Sequence, residues 1–250
     1  METINGSLFK DMLASGANLL SNKFSEIDAL NVFPVPDGDT GTNMSLTFSA
    51  GAKEIEGMDS NNIGEISKKL SKGLLMGARG NSGVILSQIF RGVSMALQGH
   101  EEADAVLWAQ ALESGAKVAY KAVMRPVEGT ILTVIRESSE AVVKYAKPGM
   151  EIEDVFSYFV KEAEASLERT PELLPVLKEV GVVDSGGAGL LLVFTGFLAG
   201  LAGETVDYVE IKSSDSAMNA VADIEGGEEG YGYCTEFIVR LEPSLVDKFK

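Results

Sequence analysis

The stretch NVFPVPDGDTGTNM, residues 31–44, carries two carboxylates two positions apart. Pro34 and Pro36 fix their own φ angles and disfavour helix in the residues before them, so Asp37 and Asp39 are predicted to lie on a loop between the first two long helices. In an extended loop, side chains two residues apart point the same way, so these carboxylates would repel each other unless a cation lay between them. Carboxylate oxygens with retained water are the ligands that Mg²⁺ prefers.

A purely structural role for the same residues stays open. Thr42 or Asn43 could cap the helix that follows, and the two acids would then only favour its positive end. Two known aspartate motifs do not fit. A calcium-binding EF-hand loop that began at Asp37 would need a glutamate at its twelfth position, which is Phe48. An aspartate pair of the haloacid dehalogenase type should end a central strand, and the two prolines in VFPVP make that strand a poor one.

A second candidate site is the stretch GLLMGARGNSGVILSQ, residues 73–88. Ser82 comes just before an apolar helix, and glycines recur at every third position: Gly77, Gly80 and Gly83. Free backbone N–H groups, a hydroxyl and the positive end of a helix could therefore converge on an anion, with Arg79 as a phosphate clamp. No Walker A sequence occurs in the chain. A plain Gly-rich turn with a solvated Arg79 remains the alternative.

Two later stretches have the same pattern of a hydroxyl or glycine at a helix start. RPVEGTILTVIRE places Gly129 and Thr130 before a helix, and EVGVVDSGGAGLLLV places Asp184 before another. Each alone is typical of a simple helix cap. Antiparallel helices bring alternate turns to the same end of a bundle, so four such starts could together form a rim of N–H donors around a metal-bound anion.

Helical periodicity dominates the chain up to residue 203, where about eight helices and no convincing strand are predicted. Prolines and Gly-rich stretches separate the segments. The later helical segments are predicted over Ala103–Val123, Ile131–Tyr145, Val155–Leu167 and Leu190–Leu201. The sequence therefore predicts an all-α domain over residues 1–203.

The segment SGGAGLLLVFTGFLAGLAG, residues 185–203, carries no charge for 19 residues, which just reaches the length of a candidate transmembrane helix. Its flanking residues, Asp184 and Glu204, provide no adjacent Lys or Arg to set an orientation. Its first five residues are typical of a Gly-rich turn. A buried core helix after that turn is the better prediction.

Composition limits the classes of partner. The 250 residues include 45% hydrophobic residues, enough for one large core, and carry a net charge of -16. That charge argues against binding to the phosphate backbone of nucleic acid or to an anionic membrane. One cysteine, Cys234, excludes an intramolecular disulfide framework, and the terminus METINGSLFK lacks signal-peptide features. A cytoplasmic protein is expected, and its single histidine, His100, in the polar sequence QGHEE, is predicted to be solvated.

The composition changes after Gly203. Residues 204–230 contain eight acidic residues and one basic residue, which is typical of a solvated acidic linker. In residues 231–250, the alternation in YGYCTEFIVRL predicts the half-buried first strand of a second domain that is mostly absent.

With the four motifs NVFPVPDGDTGTNM, GLLMGARGNSGVILSQIFRG, RPVEGTILTVIRE and EVGVVDSGGAGLL in order, residues 1 to about 203 resemble the DhaL-like domain of the bacterial fatty acid kinase ATP-binding subunit (FakA). The resemblance implies a barrel of eight antiparallel helices with ATP or ADP bound at one end through two Mg²⁺ ions. YGYCTE resembles the start of that family's middle domain, so the chain looks like a fragment. A homodimer through the missing C-terminal portion is compatible with the resemblance. The family's zinc site would include Cys234, which we expect to be metal-free here because the other ligands lie beyond residue 250.

The resemblance also implies roles for individual residues. Asp37 and Asp39 match the metal ligands, and the position of a third aspartate in related kinases is Val32 here, with Asn31 as the nearest candidate. The catalytic group would be Asp37, Asp39 and Arg79. Nucleotide contacts are expected from Thr40, Gly41, Thr42, Asn43, Gly77, Gly80, Asn81, Ser82 and Gly83, and less strictly from Thr130 and Asp184.

The implied reaction is transfer of the ATP γ-phosphoryl group to the carboxyl of a fatty acid, giving an acyl phosphate for lipid metabolism and phospholipid synthesis. The acid would be held by a separate lipid-binding partner resembling FakB of the DegV family, without which the chain is expected to be inactive. No nucleic acid partner and no integral membrane association are expected. Two alternatives remain: a nucleotide-binding regulatory module of the dihydroxyacetone kinase family without turnover, and a helical scaffold without a ligand.

Overall fold

The computed structural model of the chain describes residues 2–209. Eight long helices form this part: α1 (Gly6–Asp28), α2 (Thr40–Ile55), α3 (Ile63–Met76), α4 (Gly80–Leu97), α5 (Ala105–Ala122), α6 (Ile131–Tyr145), α7 (Ile152–Glu168) and α10 (Ser185–Leu201). Between α7 and α10 lie two short helices, α8 (Thr170–Leu173) and α9 (Pro175–Val180). The all-α prediction is confirmed. Residues 210–230 of the predicted linker, the predicted strand in 231–250 and Cys234 lie outside the described residues.

Consecutive long helices pack side by side from α1 to α7, and α10 packs against both α7 and α1. Contacts also join α10 to α2 and α6, so α10 lies deep among its neighbours. Its sequence agrees, because it is apolar nearly all round and most of its residues are buried. The closed barrel geometry itself stays a prediction.

Two short strands, β1 (Thr3–Asn5) and β2 (Glu102–Asp104), pair antiparallel with Ile4 opposite Ala103. The sequence predicted no strand here and assigned Ala103 to a helix, which is wrong. Three residues are too few for alternation to be recognised. The last residue of each strand caps the next helix: Asn5 accepts the Leu8 amide at 3.0 Å, and Asp104 caps α5 in the same way. The pair therefore fixes the starts of α1 and α5 side by side.

The core is built around aromatic rings from six of the long helices. The Phe9 and Trp108 rings meet edge-on with centroids 5.6 Å apart, and Phe159 meets Phe194 edge-on at 4.8 Å. These are the arrangements that the ring quadrupoles favour. The complete cluster is Phe9, Phe48, Phe90, Trp108, Phe156, Phe159, Phe194 and Phe197, all of them buried.

The uncharged segment that begins at residue 185 is a buried core helix, as predicted, and no helix within residues 2–209 is long and apolar enough to cross a membrane. The predicted Gly-rich turn at its start is wrong, because α10 begins at Ser185 itself. Close packing explains the difference. A Cβ on Gly187 would lie 2.9 Å from the Val134 side chain, and a Cβ on Gly189 would lie 2.7 Å from the Met44 sulfur.

The first residues of the predicted linker, 204–209, form no helix or strand and lie along α1. The Asn18 side-chain amide donates to the Val206 carbonyl at 2.9 Å, and the Asn22 amide donates to the Asp207 carbonyl at 2.9 Å. Asn18 and Asn22 are four residues apart, on one face of α1. The chain therefore leaves α10 along a fixed path as far as residue 209.

Glycines let α1 and α10 pack backbone to backbone. A Cβ on Gly196 would lie 2.6 Å from the Gly16 Cα and 2.7 Å from the Ser15 carbonyl oxygen. A Cβ on Gly16 would lie 2.8 Å from the Val193 carbonyl oxygen and 2.7 Å from the Phe197 ring. Because main-chain atoms cannot rotate away, these two positions exclude any side chain.

Gly196→Ala is expected to destabilise the protein although alanine favours helix by about 1 kcal/mol over glycine. Overpacking against backbone typically costs about 1–3 kcal/mol, so a net loss in the free energy of unfolding is expected in urea denaturation. Thr195→Ala, at the exposed neighbouring position, is the control and should change stability by less than about 0.5 kcal/mol. A Gly196→Ala protein more stable than the wild type would show that the two backbones are not in contact.

Candidate functional site

The two acids of the first motif lie on the loop between α1 and α2, as predicted, and their carboxyl groups are neighbours. Partial burial raises the pKa of Asp37, and the negative charge of Asp39 raises it further. The reason for their proximity differs from the prediction. The loop is not extended between them but turns at Gly38, whose φ of 66° is a left-handed value that favours glycine.

Asp39 immediately precedes α2 but does not cap it with its side chain. Asp28, at the end of α1, does so instead: its two carboxylate oxygens accept the Thr42 amide at 3.0 Å and the Thr42 hydroxyl at 2.7 Å. The Thr40 amide donates to the Asn31 side-chain oxygen at 3.2 Å. The first turn of α2 is therefore satisfied from the α1 side, and the Asp39 carboxylate is left available.

Asn31, predicted as a third metal ligand, is a buried residue that holds this loop together. Its Nδ2 donates to the Val35 carbonyl at 2.6 Å, and its Oδ1 accepts from both the amide and the hydroxyl of Thr40. A metal ion would have to displace Thr40 from that oxygen. The roles of Asn31, Thr40 and Thr42 toward a ligand stay predictions.

The second motif places the start of α4 against the first turns of α2. Gly80 has a φ of 58°, and a Cβ there would lie 2.5 Å from the Asn43 Nδ2, while a Cβ on Gly83 would overlap the Thr47 hydroxyl oxygen. That oxygen accepts the Arg79 amide at 3.1 Å, and the same hydroxyl donates to the Asn43 carbonyl at 2.7 Å. The two motifs therefore lie next to each other.

Unlike α2, helix α4 has no side-chain cap. Within residues 2–209, the amides of Gly80, Asn81 and Ser82 donate to no acceptor, and the exposed Arg79 side chain makes no ion pair. Unpaired N–H groups at the positive end of a helix form an anion site, and a nearby guanidinium strengthens it. The start of α4 thus has the unpaired donors that an anion site needs, and its contact with a ligand stays a prediction.

Two of the glycines predicted to contact the nucleotide, Gly41 and Gly77, are also required for helix packing. A Cβ on Gly41 would overlap the Phe24 carbonyl oxygen, and a Cβ on Gly77 would overlap the Ala50 side chain. Gly41 thereby lets α2 approach α1, and Gly77 lets the end of α3 approach α2. Their contacts with a nucleotide stay predictions.

Asp184 links the starts of α6 and α10. Its Oδ2 accepts the Gly187 amide at 2.7 Å, and its carboxylate also interacts with the Ile131 amide. Burial raises its pKa to about 6, although these amides oppose the shift. Thr130, just before α6, donates its hydroxyl to the Val127 carbonyl at 2.8 Å. Contacts of Asp184 and Thr130 with a nucleotide stay predictions.

All four helix starts lie at the same end of the domain. The starts of α2 and α4 meet at Asn43 and Gly80, and those of α6 and α10 meet at Ile131 and Asp184. The α10 start also lies against α2, where Gly189 approaches Met44.

The donors fit a magnesium ion that shares its coordination with a ligand. No cluster of three or more His, Cys, Asp or Glu side chains occurs in the part of the chain that the structure describes. Asp37 and Asp39 thus offer two carboxylates. Mg²⁺ typically binds one or two protein carboxylates and completes its shell with phosphate oxygens and water.

Two residues that position the site were missed by sequence reasoning: Asp28 and Thr47. Asp28 lies in an ordinary helical stretch, and its partner Thr42 is 14 residues away. Thr47 is one hydroxyl in the middle of a helix. No motif identifies either residue, because each contact depends on how α1, α2 and α4 pack.

A sequence profile described as the DAK2 domain matches residues 34–199 of the chain. Protein YloV of Bacillus subtilis is 52% identical over 255 residues, covering 97% of this chain and 45% of YloV. An uncharacterized protein of Staphylococcus saprophyticus is 52% identical over 243 residues, covering 95% of this chain and 44% of that protein. The chain therefore spans about half the length of these relatives.

Among solved structures, the dihydroxyacetone kinase of C. freundii in its native form is similar, with a TM-score of 0.57 and 22% identity over 77% of this chain and 34% of that one. The complex of that enzyme with AMP-PNP and Mg²⁺ has a TM-score of 0.55. At this level of identity the likeness establishes a common fold.

Asp184→Asn is expected to remove a pH dependence of stability. The folded-state pKa of about 6 lies above the ordinary value of 3.8, so the contribution of this group is fully present below about pH 4 and is lost as the pH rises through 6. The difference between wild type and variant should change by up to about 3 kcal/mol over that window, measured by urea denaturation at each pH.

Asp104→Asn, the same change at the exposed cap of α5, is the matched control for loss of a capping carboxylate. Titration of Asp37 is common to wild type and variant, so it cancels in the difference. Parallel stability profiles for wild type and Asp184→Asn would contradict a buried carboxyl at this position.

Proposed function

Because the chain belongs to the DAK2-domain family, as its resemblance predicted, we propose that its helical domain binds ATP with Mg²⁺ as the nucleotide-binding part of a kinase. The observation that carries this proposal is the pairing of two features on adjacent helix starts. Two neighbouring carboxylates precede α2, and an uncapped, positive helix end opens at α4. A metal-bound triphosphate complements both.

In this arrangement Asp37 and Asp39 hold the metal, and the amides of Gly80, Asn81 and Ser82 bind phosphate oxygens. Arg79 adds a positive charge beside them. When bound, Mg²⁺ would neutralise charge on the phosphates and help to position them. The complex of the C. freundii kinase with AMP-PNP and Mg²⁺ supports the same ligand class for this chain, since the two proteins share a fold.

The acceptor that we propose is the carboxylate of a fatty acid. A carboxylate oxygen attacks the γ-phosphorus, the bond from that phosphorus to the β–γ bridging oxygen breaks, and ADP leaves with the electron pair. The product is an acyl phosphate. The carboxylate is already deprotonated at neutral pH, so no general base is needed, and positioning with charge stabilisation suffices. His100 is exposed and follows the far end of α4, about 27 Å from the start of that helix.

The fatty acid is delivered, in this proposal, by a separate lipid-binding protein of the DegV family. An acyl chain in water would aggregate or enter membranes, so a carrier that exposes only the carboxyl group solves a physical problem of the reaction. Arg79 and Asn81 at the start of α4 are exposed to solvent. A carrier protein could therefore bring the carboxyl group of the fatty acid to this end of the domain.

Asp37→Asn is expected to weaken binding of ATP by at least about tenfold in the presence of Mg²⁺, because a direct ligand of the metal is lost. Without Mg²⁺ the same variant should bind ATP no worse than the wild type, since a negative charge near the phosphates is removed. Isothermal titration calorimetry of ATP with and without Mg²⁺ measures both.

Asp59→Asn is the matched control, because this exposed carboxylate lies on the loop between α2 and α3, at the other end of the domain. It should bind ATP like the wild type under both conditions. Equal affinities for all three proteins with and without Mg²⁺ would refute the metal site.

Acyl phosphate should form when the chain is mixed with ATP, Mg²⁺ and a DegV-family protein loaded with a long-chain fatty acid, and not when free fatty acid replaces the loaded protein. Trapping with hydroxylamine measures the product as a hydroxamate. If Mg-ATP binds but no hydroxamate forms with the loaded protein, the chain is a nucleotide-binding regulatory module instead.

A further inference from the structure

The residues that follow α10 turn back onto the domain. Gly203, just after the helix, has a left-handed φ of 79°, and the Glu204 amide donates to the Ala199 carbonyl at 2.9 Å. This arrangement is common at helix ends, and glycine adopts the left-handed φ without a steric cost. The chain therefore reverses its direction at the end of α10, and residues 204–209 run along α1.

The contacts of this segment show its direction along α1. The Asn18 Nδ2 donates to the Val206 carbonyl at 2.9 Å, and the Val209 amide donates to the Asn22 Oδ1 at 2.9 Å. Residue numbers rise together on α1 and on the segment, so the two run parallel. The segment thus runs toward the end of α1 at which Asp28 caps the start of α2.

Asn22 holds the segment through both polar atoms of its side-chain amide. Its Nδ2 donates to the Asp207 carbonyl at 2.9 Å, and its Oδ1 accepts the Val209 amide. An asparagine side chain offers a donor and an acceptor on one planar group. The two bonds lie on either side of Tyr208, as bonds from the main chain of a neighbouring strand would. One side chain of α1 therefore takes the place of a strand partner.

Two further polar side chains of α1 complete the contact. The Ser15 hydroxyl oxygen accepts the Val206 amide at 3.1 Å, and Asn18 binds the carbonyl of the same residue. Ser15, Asn18 and Asn22 are spaced by three and four residues, so they lie on one face of the helix. All four hydrogen bonds go to main-chain atoms of the segment.

The side chains at the end of the segment point away from this contact. Asp207 is exposed, and Tyr208 and Val209 are 61% and 59% exposed. The segment forms no helix or strand, so its main-chain groups are free for bonds to α1. Binding through main-chain atoms provides affinity without selecting residue types. This face of α1 is therefore fitted to a main chain and not to particular side chains.

We propose that these three side chains of α1 form a clasp for the main chain of residues 204–209, and that the clasp fixes where the chain leaves the domain. Asn22 lies six residues before the last residue of α1, which is about 9 Å along the helix. It lies 16 residues, or about 24 Å, after the first residue. The clasp therefore releases the chain near the end of the domain that carries Asp37 and Asp39.

The inference goes beyond the proposed function, because the clasp does not need a nucleotide. Helix α10 starts at the end of the domain that carries the candidate site, so it ends at the opposite one. Residues that follow α10 would leave the domain there if nothing held them. The clasp instead brings them back to the end at which we propose phosphoryl transfer.

Hydrogen exchange at individual amides, followed by NMR, tests the contact. In the wild type, the Val206 and Val209 amides should exchange more slowly than those of Asp207 and Tyr208, which have no acceptor within residues 2–209. Asn22→Leu should speed exchange at Val209 by about tenfold or more, because its acceptor is lost. Leucine favours helix more than asparagine does, so α1 should stay folded.

Ser25→Leu is the matched control, because it also replaces a polar residue of α1 by leucine, at an exposed position outside the clasp. Exchange at Val206 and Val209 should stay at the wild-type rate in this variant. Slow exchange of amides in the middle of α1, in both variants, would verify that the helix is intact.

Paramagnetic broadening tests the exit point. A nitroxide is attached to Val209→Cys in a chain that also carries Cys234→Ser, so that only one thiol is labelled. The label should broaden the amide signals of residues 31–39 more than those of residues 57–62, since Asn61 lies beside the start of α1. Asn22→Leu in the labelled chain should weaken the broadening of residues 31–39.

Three results would overturn the inference. Equal exchange rates at Val209 and Tyr208 in the wild type would mean that no clasp forms. Unchanged exchange and broadening in Asn22→Leu would mean that another contact holds the segment. Broadening of residues 57–62 that exceeds the broadening of residues 31–39 would place the exit at the opposite end.

Titration with Mg-ATP separates this inference from the proposed function. Asn22→Leu should bind Mg-ATP with a Kd within about twofold of the wild-type value, because the change is uncharged and distant from the candidate site. A wild type that does not bind Mg-ATP would refute the proposed nucleotide site. Exchange and broadening decide the clasp by themselves, with or without nucleotide.

Discussion

The cap on the first turn of α2 is the interaction on which the candidate site depends. An aspartate just before a helix ordinarily turns back to accept an amide of the first turn, which stabilises the helix by about 1 kcal/mol. Here Asp28 takes the Thr42 amide and Asn31 takes the Thr40 amide. Asp39 occupies the capping position of α2, but its side chain does not cap the helix. The Asp37 carboxyl bonds backbone amides of its own loop and lies beside Asp39; burial raises the pKa of Asp37, and the charge of Asp39 raises it further. A cation between the two carboxylates would relieve this repulsion.

The start of α4, which lies next to the start of α2, is uncapped and electropositive. Helix α4 begins without a side-chain cap, and its first amides have no acceptor within residues 2–209. Thr47 fixes the approach of this start to α2 by accepting the Arg79 amide, and the glycines at 80 and 83 leave no side chain in the way. An electronegative loop and an electropositive helix end are thereby held next to each other. The metal complex of a polyphosphate that we propose as the ligand would complement both.

Packing through glycine keeps these starts together. Helix α10 contacts α1 with main-chain atoms at Gly196 and approaches Met44 of α2 at Gly189. Each contact would be lost with a larger residue, so the relative heights of the helices are set by backbone rather than by adaptable side chains. Since the N–H groups of a helix start are rigid parts of that backbone, fixing the helices fixes the donors.

The sequence predicted much of the fold because the helical period is long and regular. The boundaries of Ile131–Tyr145 agree with the structure, and the buried nature of α10 follows from its uncharged run. The sequence analysis missed β1 and β2 because a strand of three residues is too short to show an alternating pattern of apolar and polar residues. It read the start of α10 as a turn because glycine has a low helix propensity, whereas packing against Met44 and Val134 favours glycine there.

For the candidate site, the sequence predicted which residues lie on the loop, but it did not predict which side chains contact each other. Proline spacing predicted the loop that carries Asp37 and Asp39, but the carboxylates meet through a turn at Gly38 and not through an extended segment. Asp28 and Thr47 act only after α1, α2 and α4 have packed. Their partners lie 14 and 32 residues away in the chain. A local pattern cannot encode such a contact, because it depends on the crossing of helices.

The distribution of charge solves a problem that an acidic nucleotide-binding protein faces. A chain with a net charge of -16 repels a polyphosphate at long range, so attraction has to be local. The α3–α4 hairpin supplies it at its turn, with unpaired amides at the start of α4 and the exposed Arg79 beside them. The proposed binding of a polyphosphate by this acidic chain therefore depends on the donors at the start of α4.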